Sequence, residues 1–593
     1  MAGETLLAGI IGNLDFREGE YMRHSIVIAP ILAMLLAGCV AEEADTTAVP
    51  TSASTSETRP NILLIIGDDM GFSDVGAFGS EVATPNIDAL ASEGLRFTNF
   101  HVGATCSPTR SLLLTGVDNH RNGLGNMHEF LSEAQKGQPG YEGYLNKNVV
   151  TIVNLIRDAG YSTSMAGKWH LGSDEGFRPH DRGFDQTYSL LDGAADNYSA
   201  ASAGHVMGPT ATFSANGEIV ERPVGIHSNE LYVDKLIDFL DPEQNADQPF
   251  FAYLSLQTAH WPHQAPREFI DKYRDVYSTG WDVIREQRIE KLKSLGILSK
   301  DHPVSPRFPG VPAWDALPAE AKVVQANRMA AYAGMIEHMD VHIGRVIDHL
   351  KATGQYDNTI IIYMTDNGPD FSQPNVGAGA DWYNARYPKT AVEDIGVEGS
   401  FSSYGPPWAQ VATAHLSGFK TFSTEGGLRV PFIIRYPEWI EAGQTDEFVF
   451  VTDLSATLLE IAGAEHPGTS YQGRQVFPMT AKSVLPLMRG ETSTHRAADE
   501  WVGYELMGNS ALFKGDYKAL RLGAWMQSLG LEGAGAWQLY NIKEDPSELH
   551  DLSEQEPELL AELIALYDEY GESLGIIDVP ADFDPLAMIV GSK

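Results

Sequence analysis

Cysteine is almost missing from this chain: 2 of 593 residues, Cys39 and Cys106. Basic residues are also short, 41 Lys and Arg against 80 Asp and Glu, for a formal charge of -39. So acidic a surface repels nucleic acid and other polyanions unless a site locally reverses the sign, so no nucleic-acid partner is expected. Long apolar runs are lacking too. The one near the start, Ile26 to Leu36, is too short to span a bilayer as a mature helix. No internal repeat is visible. What is abundant is core-forming material. The chain is 43% hydrophobic and 10% aromatic, ample for a large packed core and, at this length, for more than one domain.

The first 60 residues do not read as fold. Met22-Arg23-His24, the run Ile26 to Leu36 and then Ala37-Gly38-Cys39 have the layout of an export signal. Its ending, Leu-Ala-Gly-Cys, resembles a bacterial lipobox, in which the cysteine is lipidated and becomes the new N-terminus. An ordinary cleaved signal is the alternative. We therefore expect residues 1–38 to be an upstream extension plus a lipoprotein signal peptide, with Met22 as the true start. Residues 39–58, rich in Ala, Thr, Ser and Glu, read as a flexible tether. The expected product is an exported bacterial protein, a periplasmic or outer-membrane lipoprotein anchored to the membrane through lipid on Cys39. With Cys39 used there, Cys106 has no intramolecular disulfide partner and is either inert or chemical.

The fold signal starts at Arg59. The uninterrupted aliphatic run Ile62 to Ile66, bounded by turn residues, reads as a strand buried on both faces. Similar runs lie at Phe250 to Leu256, Thr359 to Met364 and Val430 to Ile434. Helical periods lie between them at Asn86 to Ala91, Val149 to Ala159 and Met329 to Leu350. In the last, Met335, Ile336, Met339, Ile343 and Ile347 form one apolar face, and His338, Asp340 and His342 are expected in solvent. Strands alternating with helices imply an α/β fold: a large mixed, mostly parallel sheet sandwiched by helices. Residues 59–496 are assigned to this domain, with 265–325 as an insertion over one edge of the sheet. From 497 to 593 the texture changes. Short patterns at Trp501 to Leu506, Ala511 to Leu520 and Trp537 to Tyr540, then a helix near Pro557 to Tyr570, predict a smaller C-terminal α+β domain carrying an antiparallel sheet.

Two acidic pairs terminate predicted strands: Asp68-Asp69 and Asp366-Asn367. Ligands in open α/β sheets gather beyond the carboxyl ends of the strands. The four side chains offer only hard oxygen donors, which suits calcium or magnesium and argues against zinc. They also leave coordination open for a nucleophile and a substrate oxygen. Cys106-Ser107-Pro108-Thr109-Arg110 precedes a predicted helix in which Pro108 can take the first position and Gly116 the end. Helix N-termini bind anions, and Arg110 in the first turn adds a fork of donors. Position 106 is thus suited to meet a phosphate or a sulfate.

Cys106 to Gly116, Cys-Ser-Pro-Thr-Arg-Ser-Leu-Leu-Leu-Thr-Gly, resembles the first signature of the formylglycine-dependent (type I) sulfatases. Gly160 to Gly172, containing Gly167-Lys168-Trp169-His170, resembles the second. The similarity covers essentially all of residues 59–555. It is nearest the bacterial arylsulfatase branch of the alkaline phosphatase superfamily, whose look is shared by Tyr404 to Ala414, Lys420 and Glu425 to Pro431. The resemblance implies an arylsulfatase, a sulfuric ester hydrolase that splits small sulfate esters into an alcohol or phenol and inorganic sulfate. It implies that a maturation enzyme oxidises Cys106 to Cα-formylglycine, whose hydrate binds Ca2+ (Mg2+ is the lesser choice) beside Asp68, Asp69, Asp366 and Asn367 and attacks sulfur. Lys168, His260 and Lys420 would hold the sulfate oxygens, and His260 would protonate the leaving alcohol. His170 would hold the second hydroxyl of the hydrate, and Arg110 would hold residue 106 in place. The rim is expected to include Asp192 to His205 and Trp408. Two rival readings are a phosphodiester or phosphonate monoester hydrolase of the same superfamily and a catalytically dead, lipid-anchored binding protein.

Overall fold

The computed structural model describes residues 59–204, 208–242, 248–376, 380–531, 533–580 and 582–590. The lipobox, Cys39, the tether and His205 lie outside them. Among the described residues, no helix is long and apolar enough to cross a membrane.

The run Asn61–Gly67 is fully buried at the centre of a sheet that has eleven strands among the described residues. It pairs in parallel with Thr359–Thr365 on one side and with Phe250–Ser255 on the other. Beyond Phe250–Ser255 come Ser162–Lys168 and Gln186–Leu190, again parallel, then a short antiparallel extension through Phe213–Ala215 and Glu218–Val220. Beyond Thr359–Thr365 comes Arg429–Arg435, antiparallel to both neighbours, and then Leu95–His101. Helices cover both faces of the parallel centre, so its strands carry near-continuous apolar sequence.

The longest helix, Ala319–Ala352, packs against Arg267–Asp271, Arg274–Tyr277 and Ser228–Phe239. That second layer overturns the expectation of a solvated face: His338, Asp340 and His342 are all buried. Asp340 accepts hydrogen bonds from the backbone of Asn86 and Ile87, satisfying free amides at the start of helix Pro85–Glu93. Trp408 is also fully buried. It sits among Trp281, Trp314 and Tyr277, and its indole donates to the Gln325 carbonyl, so it is not on a pocket rim. Much of the 265–325 segment therefore docks on the domain through an aromatic cluster. Arg288 adds ion pairs to Asp74 and Glu81, both at 2.8 Å.

At the C-terminal end, Trp501–Leu506, Asn509–Lys514, Tyr517–Arg521 and Trp537–Asn541 form a four-stranded antiparallel sheet. Helix Pro557–Leu574 covers one face through Leu563, Tyr567 and Tyr570, packed on Leu512, Ala519 and Leu539. The sheet also braces two loops of the larger domain. The Tyr504 hydroxyl accepts from the Ala104 amide at 2.7 Å, and the Asn509 amide donates to the Thr421 carbonyl at 2.8 Å. Lys518 is fully buried, 2.8 Å from both Glu425 and Glu548.

Candidate active site

The two acidic pairs come together because their strands are neighbours in register. Gly67 lies opposite Thr365, so Asp68-Asp69 and Asp366-Asn367 leave the sheet at the same level. Asp69 sits in the left-handed region at φ 59, a conformation that a non-glycine residue keeps only when its surroundings enforce it. Its amide donates to Asp366 Oδ1 at 3.2 Å. The Asn367 amide nitrogen donates to Asp69 Oδ1 and to the Gly368 carbonyl, both at 2.8 Å, while Asn367 Oδ1 is buried without a partner.

Ligand atoms of Asp68, Asp69, Cys106 and Asp366 lie within 4.8 Å of one another. Burial raises the Asp68 carboxyl to about 7, and Asp366 and Asp69 add repulsion against the opposing pull of Lys168 and Arg110. A divalent cation would relieve this crowding and give the orphaned Asn367 Oδ1 a partner. Apart from Cys106 Sγ the donors are hard oxygens, from Asp68, Asp69, Asp366 and Asn367, so that set fits Ca2+ or Mg2+.

Two lysines reach the first acidic pair. Lys168, at the end of its strand, places Nζ 2.6 Å from Asp68 Oδ2, and Lys420 places Nζ 2.8 Å from Asp69 Oδ2. Both are buried. Although burial alone would push Asp69 up, Lys420 and then His260 hold it below the usual carboxylate range. His260 Nε2 is 3.5 Å from Asp69 Oδ2. Its Nδ1 lies 2.7 Å from the Trp261 carbonyl, which can only accept, so the ring proton is on Nδ1.

Cys106 is the first residue of helix Cys106–Thr115, with Pro108 two positions later and Gly116 closing the helix at φ 64. The sequence pattern lets Pro108 take the first position, and the helix instead starts two residues earlier. The shift is harmless, because a proline anywhere in the first turn lacks only an amide that has no helical partner. Cys106 Sγ lies 3.2 Å from Asp68 Oδ1 and 3.5 Å from Asp69 Oδ1. Burial, reinforced by the charge of Asp68, pushes the thiol well above its ordinary value. At neutral pH it is a protonated thiol and a poor nucleophile.

Arg110, one turn on, is fully buried and does not offer its fork to an incoming oxyanion. Its Nε and an NH2 group lie 2.9 and 2.7 Å from Asp366 Oδ2, and its other terminal nitrogen donates to the Lys168 carbonyl and to Ser255 Oγ. It braces the second acidic pair and ties that pair to the end of the Lys168 strand.

These groups open into a narrow cleft lined by Met127, Phe130, Trp261 and Phe371 together with Cys106, His170, His260 and Lys420. Glu129 and Asp370 are also in its wall, and Lys420 is the one Lys or Arg among the described lining residues. Sequence reasoning missed Met127, Glu129, Phe130, Asp370 and Phe371. Asp370 follows the Asp366-Asn367 pair closely enough to have been a candidate, but Met127, Glu129 and Phe130 sit around a 3-10 turn with no motif.

A β-sheet that gathers acids, lysines and a helix-start cysteine at one end is the framework of a sulfuric ester hydrolase. The chain belongs to the sulfatase family, whose family model matches residues 60–464. A second model, described as the C-terminal part of N-sulphoglucosamine sulphohydrolase, matches residues 418–565. Among individual relatives, an uncharacterized sulfatase of Schizosaccharomyces pombe is 41% identical over 538 residues, covering 88% of this chain and 96% of that protein. An arylsulfatase of Klebsiella aerogenes is 35% identical over 444 residues, covering 74% of this chain and 94% of the relative. The crystal structure of the PsFucS1 sulfatase from Pseudoalteromonas sp. shares the fold, with a TM-score of 0.57 at 20% identity over 88% of this chain and 92% of that one.

Proposed function

We propose that the protein is an arylsulfatase. It would hydrolyse small aryl sulfate esters with residue 106 acting as Cα-formylglycine and with calcium held by Asp68, Asp69, Asp366 and Asn367. The observation that carries the aryl reading is the cleft. Aromatic and apolar side chains wall it, and acids rather than extra cations accompany them, which suits a flat neutral leaving group and disfavours a heavily sulfated polymer. A buried, protonated thiol between two carboxylates is a poor reagent as it stands, which supports conversion of Cys106 to an oxygen nucleophile.

When bound, a divalent cation supplies Lewis acidity and makes an oxygen nucleophile available at neutral pH. The chain supplies the rest. Lys168 and Lys420, which here pair with Asp68 and Asp69, would hold sulfate oxygens and offset the charge that grows on them. His260 is oriented by the Trp261 carbonyl, so Nε2 is the nitrogen directed to the leaving oxygen. Burial holds this histidine well below its ordinary value against the pull of Asp69, and Lys420 and Lys168 add to the lowering. The negative charge of a bound sulfate acts in the opposite direction, toward the protonated form needed to protonate the leaving group.

The phosphohydrolase alternative differs at the site. The resemblance places Asp69, Asn367, Lys168 and His170 in the sulfatase form, where the phosphonate branch typically has replacements. A panel of 4-nitrophenyl sulfate, phosphate, phosphodiester and phosphonate esters cancels leaving-group chemistry. We expect the sulfate to have the highest kcat/KM. A phosphodiester or phosphonate ester turned over more efficiently would transfer the assignment to that branch. No turnover of any member by converted, calcium-loaded protein would favour a binding protein.

A further inference from the structure

We infer that Glu129 is the positioning residue of His170: its carboxylate fixes the imidazole as the Nε2–H tautomer and leaves Nδ1 as the nitrogen that exchanges a proton in the cleft. The pairing stands on geometry alone, whereas what His170 does with the proton rests on the sulfatase reading above.

Glu129 lies on the 3-10 turn His128–Phe130, forty-one positions before His170 and in no motif. Its Oε1 is 3.2 Å from His170 Nε2, and the two side chains are 12% and 10% exposed. Two further atoms of the pair are buried without any partner, Glu129 Oε2 and His170 Nδ1. Buried polar groups are nearly always satisfied, so orphans on residues that line a reaction cleft mark where a ligand or a reacting group belongs. Both residues line the cleft that also holds residue 106.

The ring has little freedom to turn. His170 is held at φ 57, and its amide donates to the Leu191 carbonyl at 3.2 Å. Gly193 lies against the imidazole so closely that a Cβ there would sit 2.7 Å from His170 Cε1. Burial would push the Glu129 carboxyl up, but His170 outweighs it and holds the acid below the usual range. Burial also lowers His170 below its ordinary value. Glu129 is thus the ionised partner, and its 3.2 Å contact to Nε2 is a hydrogen bond accepted from the ring. A carboxylate only accepts, so the proton is on Nε2 and the lone pair is on Nδ1. A carboxylate that selects the tautomer of an imidazole base keeps the reactive nitrogen available, and losing it can cost about 10⁴ in kcat through the wrong tautomer.

The test uses the full chain labelled with 15N-histidine, with Cys106 unconverted and divalent metal removed, and with His170→Asn to assign the ring signals. We expect His170 Nε2 to be pyrrole-type and Nδ1 pyridine-type. We expect this pattern to be lost in Glu129→Met, which removes the acceptor at similar volume. In converted enzyme, Glu129→Met should lower kcat by roughly 10² to 10⁴ with KM little changed, and adding His170→Asn should cost little more, because the two act as one unit. Glu129→Gln, which keeps an acceptor oxygen, should recover part of the rate. A proton on Nδ1 in the wild type, or an unchanged tautomer in Glu129→Met, would overturn the inference. So would full activity of Glu129→Met beside an inactive His170→Asn. If Glu129→Met does not fold, the wild-type nitrogen shifts and Glu129→Gln still decide. If the wild type turns over no sulfate ester, the functional reading fails separately, and the nitrogen shifts still judge the pairing.

Discussion

Asp366→Asn is expected to reduce turnover by roughly a thousandfold or more, corresponding to the several kcal/mol a metal supplies to transition-state charge stabilisation. Asp366 has two tasks. One oxygen accepts the Asp69 amide, the other receives the Arg110 guanidinium, and the carboxylate as a whole contributes charge to the cation site. The amide keeps the shape and removes the charge. Asp366→Ala should do more. It leaves a fully buried guanidinium without its carboxylate, and breaking a buried pair costs about 3 to 5 kcal/mol. The two variants therefore separate activity from stability: kcat/KM should fall in both, and the urea midpoint should fall furthest in the alanine variant. Turnover by Asp366→Asn within tenfold of wild type, at saturating calcium, would remove Asp366 from the metal site.

Lys518→Met is expected to destabilise the protein by about 3 to 5 kcal/mol, although the residue is on the C-terminal sheet and far in sequence from the acidic pairs. Its ammonium lies 2.8 Å from Glu425 and 2.8 Å from Glu548, and Glu425 also takes His101 Nε2 at 2.9 Å. Burial pushes Glu548 to about 7 and the charge of Glu425 adds to that, so Lys518 is what allows two carboxylates to share one dry site. Removing it leaves them facing each other, with Arg429, 3.6 Å from Glu425, as the remaining Lys or Arg paired with either acid among the described residues. Equilibrium unfolding in urea reads the effect. A loss below about 1 kcal/mol would mean that the cluster is solvated enough to behave like a surface pair.

The clustering of the acids, Cys106, Lys168 and His170 was legible because these residues fall in short segments. Asp68-Asp69 and Asp366-Asn367 each follow an aliphatic run, and a parallel sheet brings such strand ends together. Cys106, Lys168 and His170 fall in two contiguous motifs. What stayed hidden depends on distant packing. His338, Asp340 and His342 look like the polar face of a surface helix, and only the helices that cover Ala319–Ala352 make them buried. Trp408 reads as a binding aromatic until Trp281 and Trp314 fold over it from the 265–325 segment. Arg110 looked free to hold an anion, and its partner Asp366 is 256 positions away. Glu129 carried no signal at all, since a single acid on a 3-10 turn acquires meaning only beside His170.

The account turns on the chemical state of residue 106, and one measurement addresses it directly: the mass of the tryptic peptide Phe97 to Arg110 taken from protein of known sulfatase activity. A formylglycine there replaces the thiol with an aldehyde oxygen, so the peptide loses mass, no longer alkylates, and reacts with carbonyl reagents. We predict that the converted fraction rises in proportion to specific activity across preparations. Fully active protein whose peptide carries only an intact, alkylatable Cys106 would contradict the account.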